Sequence, residues 1–200
     1  MQHGESTGGG PLIVGIGGTT REGSSSERAL RYALGVTSEL GARTLVCAAT
    51  ELDLPMYRPE ESDRSPGAAR LVAALRRADG VIIASPGYHG AVSGMIKNAL
   101  DYTEDLRTDV RPYLDGRAVG CIAAAAGWQA STSTLAQLRA ITHALRGWPT
   151  PLGVAMNSAL PCFDDAGTPT GQPADQLRAM AHQVVEFAHR RARGPVPLAG

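Results

Sequence analysis

Short apolar runs alternate with amphipathic stretches along nearly the whole chain, and that alternation leaves few folds open. Residues 11–16 are apolar and end in glycines, the pattern of a strand buried on both faces. Ser24-Ser25-Ser26-Glu27 then opens a helical stretch with Leu30, Ala33, Leu34 and Leu40 along one face and Gly41 as its stop. The unit repeats. Residues 44–49 read as a second strand, 68–78 as a helix and 80–85 (GVIIAS) as a third strand. A helix over 95–106, a fourth strand over 117–125, a helix over 134–146 ended by Gly147, and a short fifth strand over 152–156 follow. In the last helix Leu177, Met180, Ala181, Val184, Val185 and Ala188 recur at i, i+3, i+4, i+7 spacing, after Pro173 as first helical residue and before Gly194-Pro195. Strands alternating with helices predict an α/β fold: a doubly wound five-stranded parallel sheet, order 2-1-3-4-5, in three α/β/α layers.

Two hundred residues suit one such domain, expected over 11–194, with residues 1–10 a flexible lead-in and 195–200 a tail. The lead-in has neither the basic nor the apolar region of a signal peptide, and no apolar run nears the roughly twenty residues of a membrane span. Nineteen basic and nineteen acidic residues cancel, so no long-range field favours nucleic acid or an anionic membrane, and partners are expected among small molecules or proteins. Cys47, Cys121 and Cys162 show neither a CxxC pair nor zinc-ligand spacing, which reads as inert thiols and a reducing, cytoplasmic setting.

In an open parallel sheet of this order, ligands bind beyond the carboxyl ends of strands one and three, where strand order reverses. The first of those loops, residues 17–26, offers small residues, hydroxyls, one arginine and a helix amino terminus, which suits a phosphate monoester. Its bland reading is a capping box between Ser24 and Glu27. A cap needs one hydroxyl, however, and Thr19, Thr20, Arg21, Ser24 and Ser26 together supply more donors than the helix end requires. Gly15-x-Gly17 with Glu51 only half matches a dinucleotide fingerprint, because Thr20 stands where the third glycine belongs; a P-loop lysine is missing altogether.

The second loop, Ser85-Pro86-Gly87-Tyr88-His89-Gly90-Ala91-Val92-Ser93-Gly94, is glycine-rich enough to press its backbone against a planar ligand. Together with Lys97-Asn98-Ala99-Leu100-Asp101-Tyr102, it resembles the NAD(P)H-dependent FMN reductases, whose motif runs Ser-Pro-x-Tyr-His/Asn-Gly followed by Lys-Asn-Ala-x-Asp. The resemblance extends from residue 11 to the last helix and implies a flavodoxin-like fold. It implies that Thr19, Arg21, Ser24 and Ser26 hold the FMN phosphate. Pro86, Gly87, Tyr88, His89 and Gly90 would then lie along the isoalloxazine, and a third loop, Gly127-Trp128-Gln129-Ala130, would close over its pyrimidine end. Many relatives are more glycine-rich at that third loop, and Trp128 reads equally as packing.

The resemblance also implies hydride transfer from NADPH or NADH to FMN without a catalytic triad, since the cofactors carry the chemistry. Reduced flavin would serve a separate flavin-dependent monooxygenase. The alternatives are a quinone, azo or nitro reductase with retained flavin, and a flavin-binding electron carrier; the zero net charge argues against the last. Arg21, Arg58 and Arg64 are candidates for a 2′-phosphate. Lys97 is expected at a subunit contact or near the cofactor, and a homodimer or homotetramer built on residues 97–102 is carried over from the relatives. His143 and His182 are read as structural or solvent-facing.

Overall fold

The computed structural model describes residues 9–192, so most of the expected lead-in, the tail and the Gly194-Pro195 stop lie outside the described residues. Within them β1 (Leu12–Gly17), β2 (Arg43–Ala48), β3 (Gly80–Tyr88) and β5 (Ala118–Ala125) pair in parallel in the order β2-β1-β3-β5. The two-residue β4 (Ala91–Val92) pairs antiparallel with the end of β3, while β6 (Trp148–Pro149) and β7 (Val154–Asn157) both pair with β5. The sheet therefore has seven strands, yet its parallel core keeps the expected order.

Helices cover both faces because the strands alternate. Val14, Ile16, Val81, Ile83, Val119 and Cys121 face one layer, formed by α2 (Pro66–Arg77), α3 (Gly94–Asp101) and α4 (Trp128–Ala144). Ile13, Ile82, Ala84 and Ile122 face the other, formed by α1 (Ser25–Glu39) and α5 (Gly171–Ala192). A Cβ at Gly15 would come 2.5 Å from Leu34 Cδ1, so the glycine lets α1 lie directly on β1. On α5 the expected apolar stripe from Leu177 to Ala188 is buried; each of its larger side chains contributes about 1.5–3 kcal/mol.

Several boundaries differ from the sequence expectation. The fifth strand is split: β6 extends the amino half of β5's edge and β7 the carboxyl half. Pro149 and Pro151 have no N–H to give a ladder, so the edge breaks between them and Val154. The helix expected over 95–106 runs only to Asp101 and continues as a 3₁₀ turn, Tyr102–Leu106. Gly41 stops α1 as expected, with φ +83°. At the end of α4 the left-handed residue is instead Arg146, φ +61°, and Gly147 N–H closes the cap onto the Thr142 carbonyl at 2.9 Å. α5 begins at Gly171, so Pro173 sits within its first turn.

Candidate functional site

Gly17 lies opposite Ala84 in the β1–β3 register, and Gly18 N–H donates to the Ala84 carbonyl at 3.4 Å. The loops leaving these strands therefore start side by side at the carboxyl edge, where the chain order reverses. Ser24 and Tyr88 stand at the same end of the sheet.

In the first loop Gly18 and Gly23 take φ of +102° and +68°, turns that suit glycine. Glu27 N–H donates to Ser24 Oγ at 3.3 Å, so the serine half of the expected capping box forms, while the Glu27 carboxylate takes Gly23 N–H at 2.9 Å, one residue before the cap, in place of Ser24 N–H. Arg31 holds Glu27 from the next turn, with Nε 2.8 Å from Oε1. Ser24 and Ser26 are buried with their hydroxyls 3.3 Å apart. Thr19 Oγ1 donates to the Arg21 carbonyl at 3.0 Å and accepts from Arg21 N–H at 3.1 Å. Three of the predicted donors thus shape the loop itself. Thr20 and Arg21 face solvent, and the Arg21 guanidinium has no partner among the described residues.

The second loop is not an open glycine loop. Gly87 and Tyr88 pair with Val92 and Ala91, and the connecting His89 and Gly90 take φ of +52° and +78°. Two consecutive positive φ values in a two-residue connection make a type I′ hairpin. Ser85 Oγ ties its base, accepting from Ser93 N–H at 3.0 Å and donating to the Pro86 carbonyl at 2.8 Å. Pro86 is buried, Gly87 half-buried, and Tyr88 and His89 exposed. A Cβ at Gly87 would fall 2.6 Å from Thr134 Oγ1 and 3.0 Å from Ala125 Cβ, because the hairpin sits against α4.

The third loop is likewise shorter than expected. α4 starts at Trp128, not near residue 134, so Trp128 and Gln129 belong to its first turn. Gly127, φ +122°, makes the bend, and its N–H donates to Asn157 Oδ1 at 2.8 Å. Trp128 is 54% exposed, which excludes ordinary packing. His89 and Gly90 on one side and Ala126 to Ala130 with Ser133 on the other line a cleft of about 600 Å3. That cleft unites the second and third loops; the phosphate-type donors of the first loop are not among its walls.

The second half of the sequence motif does not reach this cleft. Asn98 Nδ2 donates to the Leu54 and Pro55 carbonyls at 3.3 and 2.9 Å, its Oδ1 accepts from Tyr57 N–H at 2.8 Å, and Tyr102 OH donates to the Pro55 carbonyl at 2.9 Å. These residues pin the segment that follows β2. Lys97 pairs with Asp101 at 2.6 Å. Of the other arginines named for a 2′-phosphate, Arg64 makes a two-pronged pair with Asp105 at 2.7 and 2.8 Å and lies over Tyr57, while Arg58 pairs with Glu61 at 3.0 Å. His143 and His182 are exposed.

Sequence reasoning missed Ser133, Gln137 and Asn157, each of which bonds backbone of the cleft walls across a long sequence separation. The one signal was a polar i, i+4 pair, Ser133 and Gln137, on a helix whose neighbouring positions pack inward. The three thiols are buried and free, and burial pushes Cys47 and Cys121 up to about 11, so none is a nucleophile at neutral pH. Among the described residues no group of acidic, histidine or cysteine side chains is placed to hold a metal, and no helix is long and apolar enough to cross a membrane.

Comparison with known proteins adds to this geometry. The chain is 28% identical over 135 residues to an NADPH azoreductase of a Bacillus species, covering 67% of this chain and 68% of that one. It is 27% identical over 185 residues to an NAD(P)H-dependent FMN reductase of Pseudomonas aeruginosa, covering 91% and 97%. Among solved structures, FerB, a flavoenzyme NAD(P)H:(acceptor) oxidoreductase from Paracoccus denitrificans, superposes with TM-score 0.73 at 18% identity, over 90% of this chain and 98% of that one. Such a likeness carries the flavodoxin-like architecture, and residues 11–160 match the family described as NADPH-dependent FMN reductase. A hairpin and a helix start that frame a cleft beside a hydroxyl-rich turn, in a chain matched over all of those segments, make this protein a member of the NADPH-dependent FMN reductase family.

Proposed function

We propose that the chain holds FMN across the reversal point of its sheet and oxidises NAD(P)H there. The observation that carries this reading is the adjacency of two unlike loops: one with surplus hydroxyls and an arginine unpaired among the described residues, one bordering a cleft. The residues fit the group. Arg21, Thr20 and the N–H groups at the α1 amino terminus are donors suited to a phosphate dianion. Ser24 and Ser26 share one contact between two hydroxyls, which leaves a hydroxyl hydrogen to donate outward. On the cleft side Trp128, Gln129, His89 and Gly90 present flat or polar faces to a ring, with exposed Tyr88 beside them on the hairpin.

Bound FMN supplies the hydride chemistry, accepting what the nicotinamide gives. The chain's part is to orient and to exclude. Arg21 offsets phosphate charge, the α4 start and the hairpin tip fix the ring from two sides, and exposed Tyr88 stands at the rim where a second ring would arrive. Small diffusible acceptors suit an open cleft of this size. Release of reduced flavin to a flavin-dependent monooxygenase, self-association as a dimer or tetramer through α3, folding of residues 11–194 as a single domain and a cytoplasmic setting complete the proposal. Three free buried thiols fit a reducing compartment.

A second reading is retained FMN reducing quinone, azo or nitro acceptors, of which the Bacillus relative's name favours the azo case. Steady-state kinetics with NADPH separate the two. A ternary complex that releases reduced FMN supports the first; ping-pong turnover with flavin retained on gel filtration supports the second; absence of NADPH and NADH oxidation with added FMN sinks both.

A further inference from the structure

The hairpin tip that borders the cleft is poorly supported by its own strands. β4 has two residues, and a two-stranded ribbon that short is marginal in water. His89 is also held in the left-handed region, which persists only where surrounding contacts demand it. Those contacts come from one face of α4. Ser133 Oγ donates to the Gly90 carbonyl at 2.6 Å and Gln137 Nε2 donates to the same oxygen at 3.0 Å. Gln137 Oε1 accepts Val92 N–H at 3.2 Å. Val92 sits opposite Gly87 at a non-bonded position of the ladder, so its N–H points away from β3 and finds the glutamine. A single amide therefore clasps the returning arm of the hairpin, taking one bond on each side of Ala91. Ala130 and Thr134 on the same face abut Gly87. Ser133 lines the cleft as well.

We propose that Gln137 is a positioning residue, whose paired hydrogen bonds set the distance between the Tyr88–Gly90 tip and the first turn of α4 and so the geometry in which flavin and nicotinamide meet. The proposal rests on the function given above. Gln137 itself need touch neither ring; it acts through main chain. An unlatched tip keeps the cleft but lets its wall wander, and displacements near an ångström are enough to cost hydride transfer heavily.

Two measurements on full-length Gln137→Leu test this. In the cofactor-free protein, hydrogen exchange by NMR should show Val92 N–H exchanging about five- to tenfold faster, with β3 and β5 core amides unchanged. With FMN added, kcat for NADPH oxidation should fall about tenfold while the NADPH KM stays within threefold. Gln137→Glu provides a variant that keeps the acceptor for Val92 at neutral pH but cannot donate to Gly90. Its Val92 exchange should stay within threefold of the parent, with kcat still reduced. Unchanged Val92 exchange in Gln137→Leu, or kcat within twofold of the parent in either variant, overturns the latch. If the exchange result holds but the unaltered protein oxidises neither NADPH nor NADH with FMN, the functional reading fails and the catalytic role of Gln137 falls with it.

Discussion

At the scale of single residues, the site depends on positions where side-chain identity and backbone shape conflict or agree. His89 occupies a left-handed position that asparagine adopts more readily in type I′ turns. His89→Asn should therefore stabilise the fold by up to about 1 kcal/mol, read as a higher urea midpoint with an unchanged slope. Gly87 is the opposite case. Gly87→Ala would drive a methyl to 2.6 Å from Thr134 Oγ1, and overpacking of this kind costs about 1–3 kcal/mol. FMN affinity should fall with it, because β3's end must leave α4. The exposed Arg21 guanidinium has no hydrogen-bond or ion-pair partner among the described residues, so Arg21→Ala should leave thermal stability within about 0.5 kcal/mol while weakening FMN binding at least about tenfold by fluorescence titration. The type of residue was legible here before its geometry was. A loop with Thr19, Thr20, Arg21, Ser24 and Ser26 reads as phosphate-binding, but only the folded turn divides these into loop builders and outward-facing donors.

At the scale of elements, apolar periodicity located the strands and helices because burial on two faces leaves an unbroken trace in the sequence. β1, β3 and β5 could be read in this way from residues such as Ile13, Val81 and Val119. Boundaries set by long-range hydrogen bonds could not. α4 begins at Trp128 because Asn157, thirty residues away, receives Gly127 N–H, and no local pattern announces that. Arg117 is another such tie. It is 1% exposed, and its guanidinium donates to the carbonyls of Arg76 and Ala78 at the end of α2 and of Tyr113 and Asp115, at 3.0 to 3.2 Å. Burial lowers its pKa to about 10, still well above neutral, so it stays a cation at the negative end of a helix. Arg117→Met should cost about 3–5 kcal/mol, since four carbonyls lose a buried charged partner at once. Equilibrium urea unfolding checks it, and a loss below about 1 kcal/mol contradicts this role.

At the scale of the whole molecule, two buried thiols make stability fall in alkali. Cys47 and Cys121 are pushed up to about 11, chiefly by burial, whereas the unfolded chain ionises them near 9. Between those values the unfolded state has lost protons that the native state keeps, so unfolding grows easier as pH rises. The loss should reach about 2 kcal/mol per thiol by pH 10.5 relative to pH 8, and a Cys47→Ala, Cys121→Ala double variant should show a correspondingly shallower decline. The same three-layer packing that hides these thiols brings the β1 and β3 loops together at one edge, where FMN binding requires them to grip one ligand between them. Hydrogen exchange by mass spectrometry, with and without FMN, tests it most directly. FMN should slow exchange together in residues 18–26, in the hairpin around 87–92 and in the α4 start around 126–130. Protection confined to one of these segments, or to none, would contradict it.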